Sequence, residues 1–364
     1  MRWAGVVLLA AACGRAPAIA PPDAGTGSLA PPDAGTPPDA GMPPQALAVP
    51  DGGGLYHGVI PIGTGQPDSD ISPSALDAYE TAVGRKVAWV YFDDEWHDSR
   101  AFPETTVAWI EARGAVPFIR LMLRSQKVPL VTDPVFTLDR IIAGEFDGDL
   151  AAWAAAASAH GPLVVEYGTE VNGDWNPWSA PYNGGLDKGP ALFQQAYRHI
   201  VSVVKPIAPN VTWALHYNSQ NFPGDDARNV PVAYYPGDDV VDWVGISAYA
   251  SERSNDHRCP SFRSLLDDVL PALPPSKPHF VFEFGDTDNN PGCPAPAWVA
   301  AAFDDMLAGR WPDLHGFSWW QQKFVDDPSA GGSTDYVVQD DPGVLAAFQR
   351  ALASPKVLDA PLLQ

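Results

Sequence analysis

From about Leu55 onward the chain alternates short apolar runs with longer stretches whose apolar positions recur every three to four residues. The short runs are rich in β-branched and aromatic residues and predict strands near 57–62, 86–93, 115–121, 163–170, 211–217, 241–249, 279–285 and 315–320. The longer stretches predict helices over Ser74–Val83, Pro103–Arg113, Phe146–His160, Pro190–Lys205, Phe262–Leu270 and Ala295–Ala308. Asp147–Ala159 reads as helix because it is dense in alanine, the strongest helix former. Strand and helix in regular alternation predict an α/β fold, a (β/α)8 TIM barrel over residues 55–355. An open doubly wound sheet is the structural alternative, and the lack of a Gly-x-Gly-x-x-Gly turn after an early strand counts against it.

The pattern is different before Leu55. Arg2, then the apolar run Ala4–Ala12, then Cys13 after small residues, reads as an export signal over residues 1–20. Ala11-Ala12-Cys13 resembles a lipoprotein cleavage site, although Ala10 stands where Leu is usual, so Cys13 is a candidate for lipidation and plain secretion is the alternative. Pro-Pro-Asp-Ala-Gly recurs at 21–25, 31–35 and 37–41, and residues 21–54 therefore read as a disordered, semi-rigid tether. The expected location is the cell surface or the medium. Outside Cys13 there remain Cys259 and Cys293, in proline-rich loops, which an exported protein is expected to bridge.

The net charge of −22 argues against nucleic acid or anionic membrane as a partner and suits a neutral substrate. Thirteen Trp and eleven Tyr need a large core or a ligand surface. No His pair has zinc-helix spacing, and Asp286, Asp288 and Asn290 imitate half a calcium loop whose glycine is replaced by Pro291, so neither metal nor cofactor is expected. Gly245–Tyr249 lacks the second glycine of a nucleophile elbow, which counts against a serine hydrolase. A monomer is expected.

Two strands carry candidate chemistry. Leu163–Trp178 reads as a strand closing on Glu170, a turn at Asn172-Gly173 and two tryptophans, and His279–Gly285 carries Glu283 near its end. Strand alternation puts His279, Val281, Glu283 and Gly285 on one face and Phe280, Phe282 and Phe284 under the helices; Trp243, Gly245, Ser247 and Tyr249 share a face, as do Gly316, Ser318 and Trp320. In a barrel, strand ends converge on one mouth, so Glu170, Tyr249, Glu283 and Trp320 are expected together. Two carboxylates across a cleft are the minimum for cleaving a glycosidic bond, and tryptophan faces suit the C–H side of sugar rings.

Phe146–Trp178, Tyr197–Trp213, Tyr235–Tyr249 and Phe282–Gly285 together resemble glycoside hydrolase family 26, whose members include β-mannanases and related β-glycanases on a (β/α)8 barrel. The resemblance covers most of residues 55–350. It implies that Glu170 is the acid/base and Glu283 the nucleophile of a retaining mechanism. It implies further that Tyr249 bonds the nucleophile, that Trp175 and Trp178 line the sugar sites and that Trp320 lies under the sugar being cleaved. The implied activity is an endo-β-glycanase, with β-1,4-mannan the first expectation and mixed-linkage β-glucan or β-1,3-xylan the alternatives. A surface protein that binds polysaccharide without cleaving it is the alternative of another class.

Three positions depart from the family's mannanases: Thr169 where His precedes the acid/base, Val171 where Met follows, and Glu166 where Arg stands four residues earlier. The missing His puts mannan specificity in question. Alternation places Glu166 on the face of Glu170, with Arg120 its expected partner or, alternatively, water in the cleft. His216 and Asn218 end the fifth strand and His57 lies on the first; all three are candidate substrate contacts. Trp89, Tyr91, Asp93 and the loop Asp94–His97 are candidates for distal sugar sites, or for a solvated acidic loop.

Overall fold

A computed structural model describes residues 47–65, 70–127, 131–224, 226–253, 255–327 and 332–363. The expected export signal, Cys13 and the proline-rich repeats lie outside the described residues. Eight parallel strands pair in chain order: β1 (Leu55–Thr64), β2 (Trp89–Glu95), β3 (Val116–Met122), β4 (Leu163–Tyr167), β5 (Val211–Asn218), β6 (Trp243–Tyr249), β7 (His279–Gly285) and β8 (Leu314–Asp327). Pairing of β8 with β1, from Tyr56↔Gly316 to Thr64↔Lys323, closes the ring. Helices α1 (Pro73–Val83), α2 (Glu104–Glu111), α3 (Leu138–Ile142), α4 (Asp147–Ala157), α5 (Gly189–Val204), α6 (Phe262–Val269), α7 (Ala295–Ala308) and α8 (Pro342–Leu352) follow in chain order. Between β5 and β6, among the described residues, a 3-10 turn, Pro231–Tyr234, stands where a crossover helix would be. The fold is a (β/α)8 TIM barrel.

Local chemistry explains the boundaries. Ser72 and Asp341 accept backbone N–H bonds at the starts of α1 and α8, each with a proline just inside the helix. Helix α8 was not expected from the chain, nor was the extension of β8 to Asp327, which pairs antiparallel with β9 (Gly332–Asp335). Strand β4 stops at Tyr167, three residues before the expected end, because Gly168 turns with φ 84°. A side chain there would also meet Phe193, 2.2 Å from the position of a Cβ. Chain order also begins earlier than expected. Leu47 is 5 % exposed and bridges Leu363, and Tyr56 donates to the Ala48 carbonyl at 2.8 Å. An apolar side chain with a partner ends the tether eight residues before the expected limit at 54. The loops after β6 and β7 are joined by Cys259–Cys293, with Cα atoms 5.4 Å apart.

The barrel floor is aromatic. Trp243 stacks on Phe280 with ring centroids 4.2 Å apart, Trp89 lies 6.0 Å from Phe280, and Phe118 meets Phe282 edge-on at 4.9 Å. Glycines on the neighbouring strands make room. A Cβ on Gly58 would fall 2.0 Å from Trp89, and one on Gly245 would fall 2.1 Å from Phe282. Phe280 and Phe282 thus face inward, contrary to the alternation expected for this strand. The reason is a bulge: register with β6 runs Ile246↔Val281 and then Ser247↔Glu283, so Phe282 is an extra residue. The bulge resets the phase. Glu283 returns to the interior, and Phe284 goes out to pack on Phe303 and Trp319 beneath the helices.

Candidate active site

The mouth of the barrel is built from the C-terminal ends of its strands. Glu170 stands three residues beyond β4 with φ 51°, the single positive φ of a non-glycine residue among the described ones. That conformation costs an L-residue about 1–2 kcal/mol, so the surroundings must hold it there. Val171 N–H bonds the His216 carbonyl at 3.1 Å, and Gly173 N–H bonds the Glu170 carbonyl at 2.9 Å. Two neutral donors fix the carboxylate: Asn218 Nδ2 reaches Oε1 and Trp175 Nε1 reaches Oε2, both at 2.8 Å. Asn218 is itself clamped, because the fully buried Asn172 accepts from its N–H at 2.7 Å and donates to its carbonyl at 2.9 Å. Asn172 had been read only as part of a turn; the Asn-Gly pair marks a turn but does not reveal a clamp.

Glu283 sits within a strand and is 4 % exposed. Arg120 Nη1 donates to Oε1 at 2.8 Å and the Tyr249 hydroxyl donates to Oε2 at 3.0 Å. Arg120 is held by Asp93 through Nε and through Nη2, the latter at 2.8 Å. Its guanidinium lies 5.6 Å from the Tyr91 ring centre and 5.4 Å from that of Trp320. Burial pushes the Glu283 carboxyl up to about 7, against the pull of Arg120 and His216, while Glu170 and Glu166 add to the upward push.

The two carboxyls share one rim. Asn218, which holds Glu170, is in register with Ser247 of β6, and Ser247 is in register with Glu283 of β7. Adjacent strands lie about 4.8 Å apart, so some 10 Å of sheet separates the backbone of Asn218 from that of Glu283. Trp175 is half-buried beside Glu170, its ring 5.2 Å from Phe222. Trp320 is 7 % exposed and donates to Gln322 Oε1 at 2.8 Å.

Several expected contacts lie elsewhere. His57 points outward from β1, bonding the Lys86 carbonyl at 3.0 Å and the Tyr79 hydroxyl of α1 at 2.8 Å, so it braces the helix layer. Trp178 is 1 % exposed and donates to the Thr169 carbonyl at 2.9 Å; it supports the turn from behind and offers no face to a sugar. His216 is fully buried below the mouth, between Glu166 and Ser247. Glu166 is paired with His216, not with Arg120. Arg120 and Glu166 are opposite one another in register, yet the guanidinium turns to Asp93 across its other ladder and to Glu283 beyond. Trp89 belongs to the floor, Tyr91 bonds Glu166, and Trp96 is 3 % exposed against Phe136, so this strand builds the base of the site instead of a distal sugar surface. The sequence carried one signal for Arg120: it is the lone charge in Val116–Met122, and a buried cation needs a carboxylate. In the loop after β7, the Asn290 amide is taken up by Ser251 Oγ and by the carbonyls of Arg253 and Asp256. Among the described residues no three His, Cys, Asp or Glu side chains gather as a metal site.

A family model described as Glycosyl hydrolase family 26 matches residues 142–266. Endoglucanase H of Acetivibrio thermocellus is 23 % identical over 291 residues, which is 78 % of this chain and 29 % of that protein. The chain thus spans less than a third of that curated relative. Among solved structures, a Cellulomonas fimi endo-β-1,4-mannanase double mutant aligns with a TM-score of 0.59 at 21 % identity, covering 84 % of this chain and 72 % of the other. Bacillus subtilis mannanase man26 aligns with a TM-score of 0.54 at 16 % identity, covering 82 % and 86 %. At these identities the structural likenesses speak for the fold.

Proposed function

We propose that the chain belongs to glycoside hydrolase family 26 and is a retaining endo-β-glycanase acting on a β-linked polysaccharide, with β-1,4-mannan as the first substrate. One observation carries the reading: two carboxyl groups on a single rim, each gripped by two donors, beside the half-buried indole of Trp175. Glu283 attacks the anomeric carbon as Glu170 protonates the departing oxygen. Glu170 then takes a proton from the water that releases the sugar from Glu283. Arg120 and Tyr249 orient Glu283, Asn218 and Trp175 aim Glu170, and Trp320 underlies the sugar. A panel of mannan, glucomannan, barley β-glucan and β-1,3-xylan, with products sized by chromatography, tests the reading. Internal cleavage of mannan is expected, and a chain that leaves all four intact would contradict it and favour a binding protein.

A second substrate has its own support. Thr169, where the family's mannanases have His, turns its hydroxyl down to Glu166 and offers nothing to a sugar. This favours mixed-linkage β-glucan, and faster cleavage of barley β-glucan than of mannan would decide for it. We also propose that the protein is exported as a monomer and tethered through lipid on Cys13 by the proline-rich repeats. Intact-mass analysis of the membrane fraction tests this, and an unmodified Cys13 would contradict it.

A further inference from the structure

Below the two carboxyls lies an acid–base pair that the mechanism above does not use. Glu166 of β4 and His216 of β5 are both fully buried. His216 Nδ1 is 3.0 Å from Glu166 Oε2, and its Nε2 is 2.8 Å from Ser247 Oγ. Burial works against both charges. Even so, His216 with Thr169 and Tyr91 holds Glu166 below the ordinary carboxylate range, and Glu166 holds His216 above the ordinary imidazole range. Once protonated, the ring donates from both nitrogens, one to a carboxylate and one to the hydroxyl of the residue in register with Glu283.

Tyr91 links the pair to Glu283. Its hydroxyl has one proton to give, and lies 2.5 Å from Glu166 Oε1 but 3.4 Å from both Glu283 Oε1 and His216 Nδ1. The proton therefore goes to Glu166. Charge counting points the same way. Asp93, Glu283 and Glu166 are three buried carboxyls, and the cations among them are Arg120 and, when its ring is protonated, His216. With His216 neutral, Arg120 would bond Asp93 and Glu283 as before while Glu166 lost its only cationic partner, and a carboxyl would take up a proton. The groups facing Glu283 are Tyr91 of β2, Arg120 of β3 with Asp93 behind it, Glu166 and Glu170 from β4 and its turn, His216 of β5 and Tyr249 of β6.

We propose that the Glu166–His216 ion pair is a positioning element for the nucleophile: the imidazolium keeps Glu283 in its carboxylate form, and Glu166 draws the Tyr91 proton away from Glu283 Oε1. This rests on Glu283 being the nucleophile. The pair acts through Glu283 and touches no substrate.

The test compares His216→Gln with the double variant Glu166→Gln/His216→Gln, reading kcat/KM against pH on an aryl β-glycoside with a good leaving group, which needs no acid. His216→Gln removes the positive ring that favours the Glu283 carboxylate and leaves Glu166 facing Glu283 without its partner, so its acidic limb is expected to move up by about one pH unit. The double variant removes a carboxylate as well, and its limb is expected to return at least half of the way. A purely structural role would lower the rate in both without moving the limb, and that result overturns the proposal. Nitrogen-15 spectra of the unaltered protein give a readout that does not depend on activity or on a variant folding. Both ring nitrogens of His216 are expected to be protonated at pH 7, and a neutral ring there also overturns it. Failure of the parent reading would look different, as an unaltered protein inert to aryl β-glycosides while the ring signals still report on the pair.

Discussion

The two sides of the cleft hold their carboxyls in different ways. Glu170 stands on a turn, in a conformation that L-residues avoid, and its partners are a neutral amide and a neutral indole. Glu283 stands in a strand without backbone strain, and its partners are a guanidinium and a phenol, with an imidazole one layer below. A group that must gain and lose a proton in each cycle is suited by neutral donors, because a fixed cation would hold it ionised. A group that must attack as an anion is suited by cations. The contrast also explains where the strain lies: reaching across the cleft from the end of β4 needs the turn at Gly168–Glu170, whereas the bulge in β7 aims Glu283 from within the sheet.

The contrast can be broken from either side. The largest effect is expected from Glu283→Gln, which should lower turnover by at least about 10⁴-fold and leave polysaccharide binding intact in affinity electrophoresis. Glu170→Ala should lose about 10²- to 10⁴-fold on polysaccharide but little on aryl glycosides with good leaving groups, and azide should restore activity; equal loss on all substrates would remove the acid/base role. Arg120→Met should destabilise the fold by about 3–5 kcal/mol in urea titrations, since it strands Asp93 and Glu283 without their cation. It should also sharpen the pH contrast. In its proposed role Glu283 attacks as a carboxylate, so activity should fall as pH drops through its pKa of about 7; loss of a positive neighbour raises that value, and the acidic limb should move to higher pH. Loss of the bridge in Cys259→Ser should cost about 3–4 kcal/mol, given the 34 residues it spans, with little change in either limb. Gly245→Ala should cost about 1–3 kcal/mol by forcing Phe282 aside, again without moving the pH profile.

What the chain disclosed follows the same division. Periodicity and strand content were enough for the barrel, and strand-end logic brought Glu170, Tyr249, Glu283 and Trp320 to one mouth. Parity held on β6, where Trp243, Gly245, Ser247 and Tyr249 do share the interior face. It failed on the first half of β7, because nothing in His279–Gly285 marks a bulge: no glycine or proline interrupts the run before Gly285. Charge pairing was the least legible. A sequence reveals that Glu166 and Arg120 each need a partner, and register even sets them side by side. The direction a guanidinium takes, however, depends on which carboxylates the neighbouring strands supply, and Asp93 and Glu283 together outcompeted Glu166. His57 and Trp178 were misread for a related reason: chemistry that suits a sugar site serves equally well to brace a helix or a turn when the side chain points the other way. Asn172 stayed hidden because clamping both backbone groups of Asn218 is a matter of long-range geometry.

The account's central claim is that Glu283 attacks sugar while Glu170 handles the proton. The most direct measurement is peptide mass mapping after incubation with a 2-deoxy-2-fluoro β-glycosyl fluoride, which forms the covalent intermediate but releases it slowly. A single glycosyl adduct on the peptide carrying Glu283, absent in Glu283→Gln, is the predicted result. An adduct on another carboxylate, or rapid turnover of natural substrate with inversion at the anomeric carbon and no adduct, would contradict it.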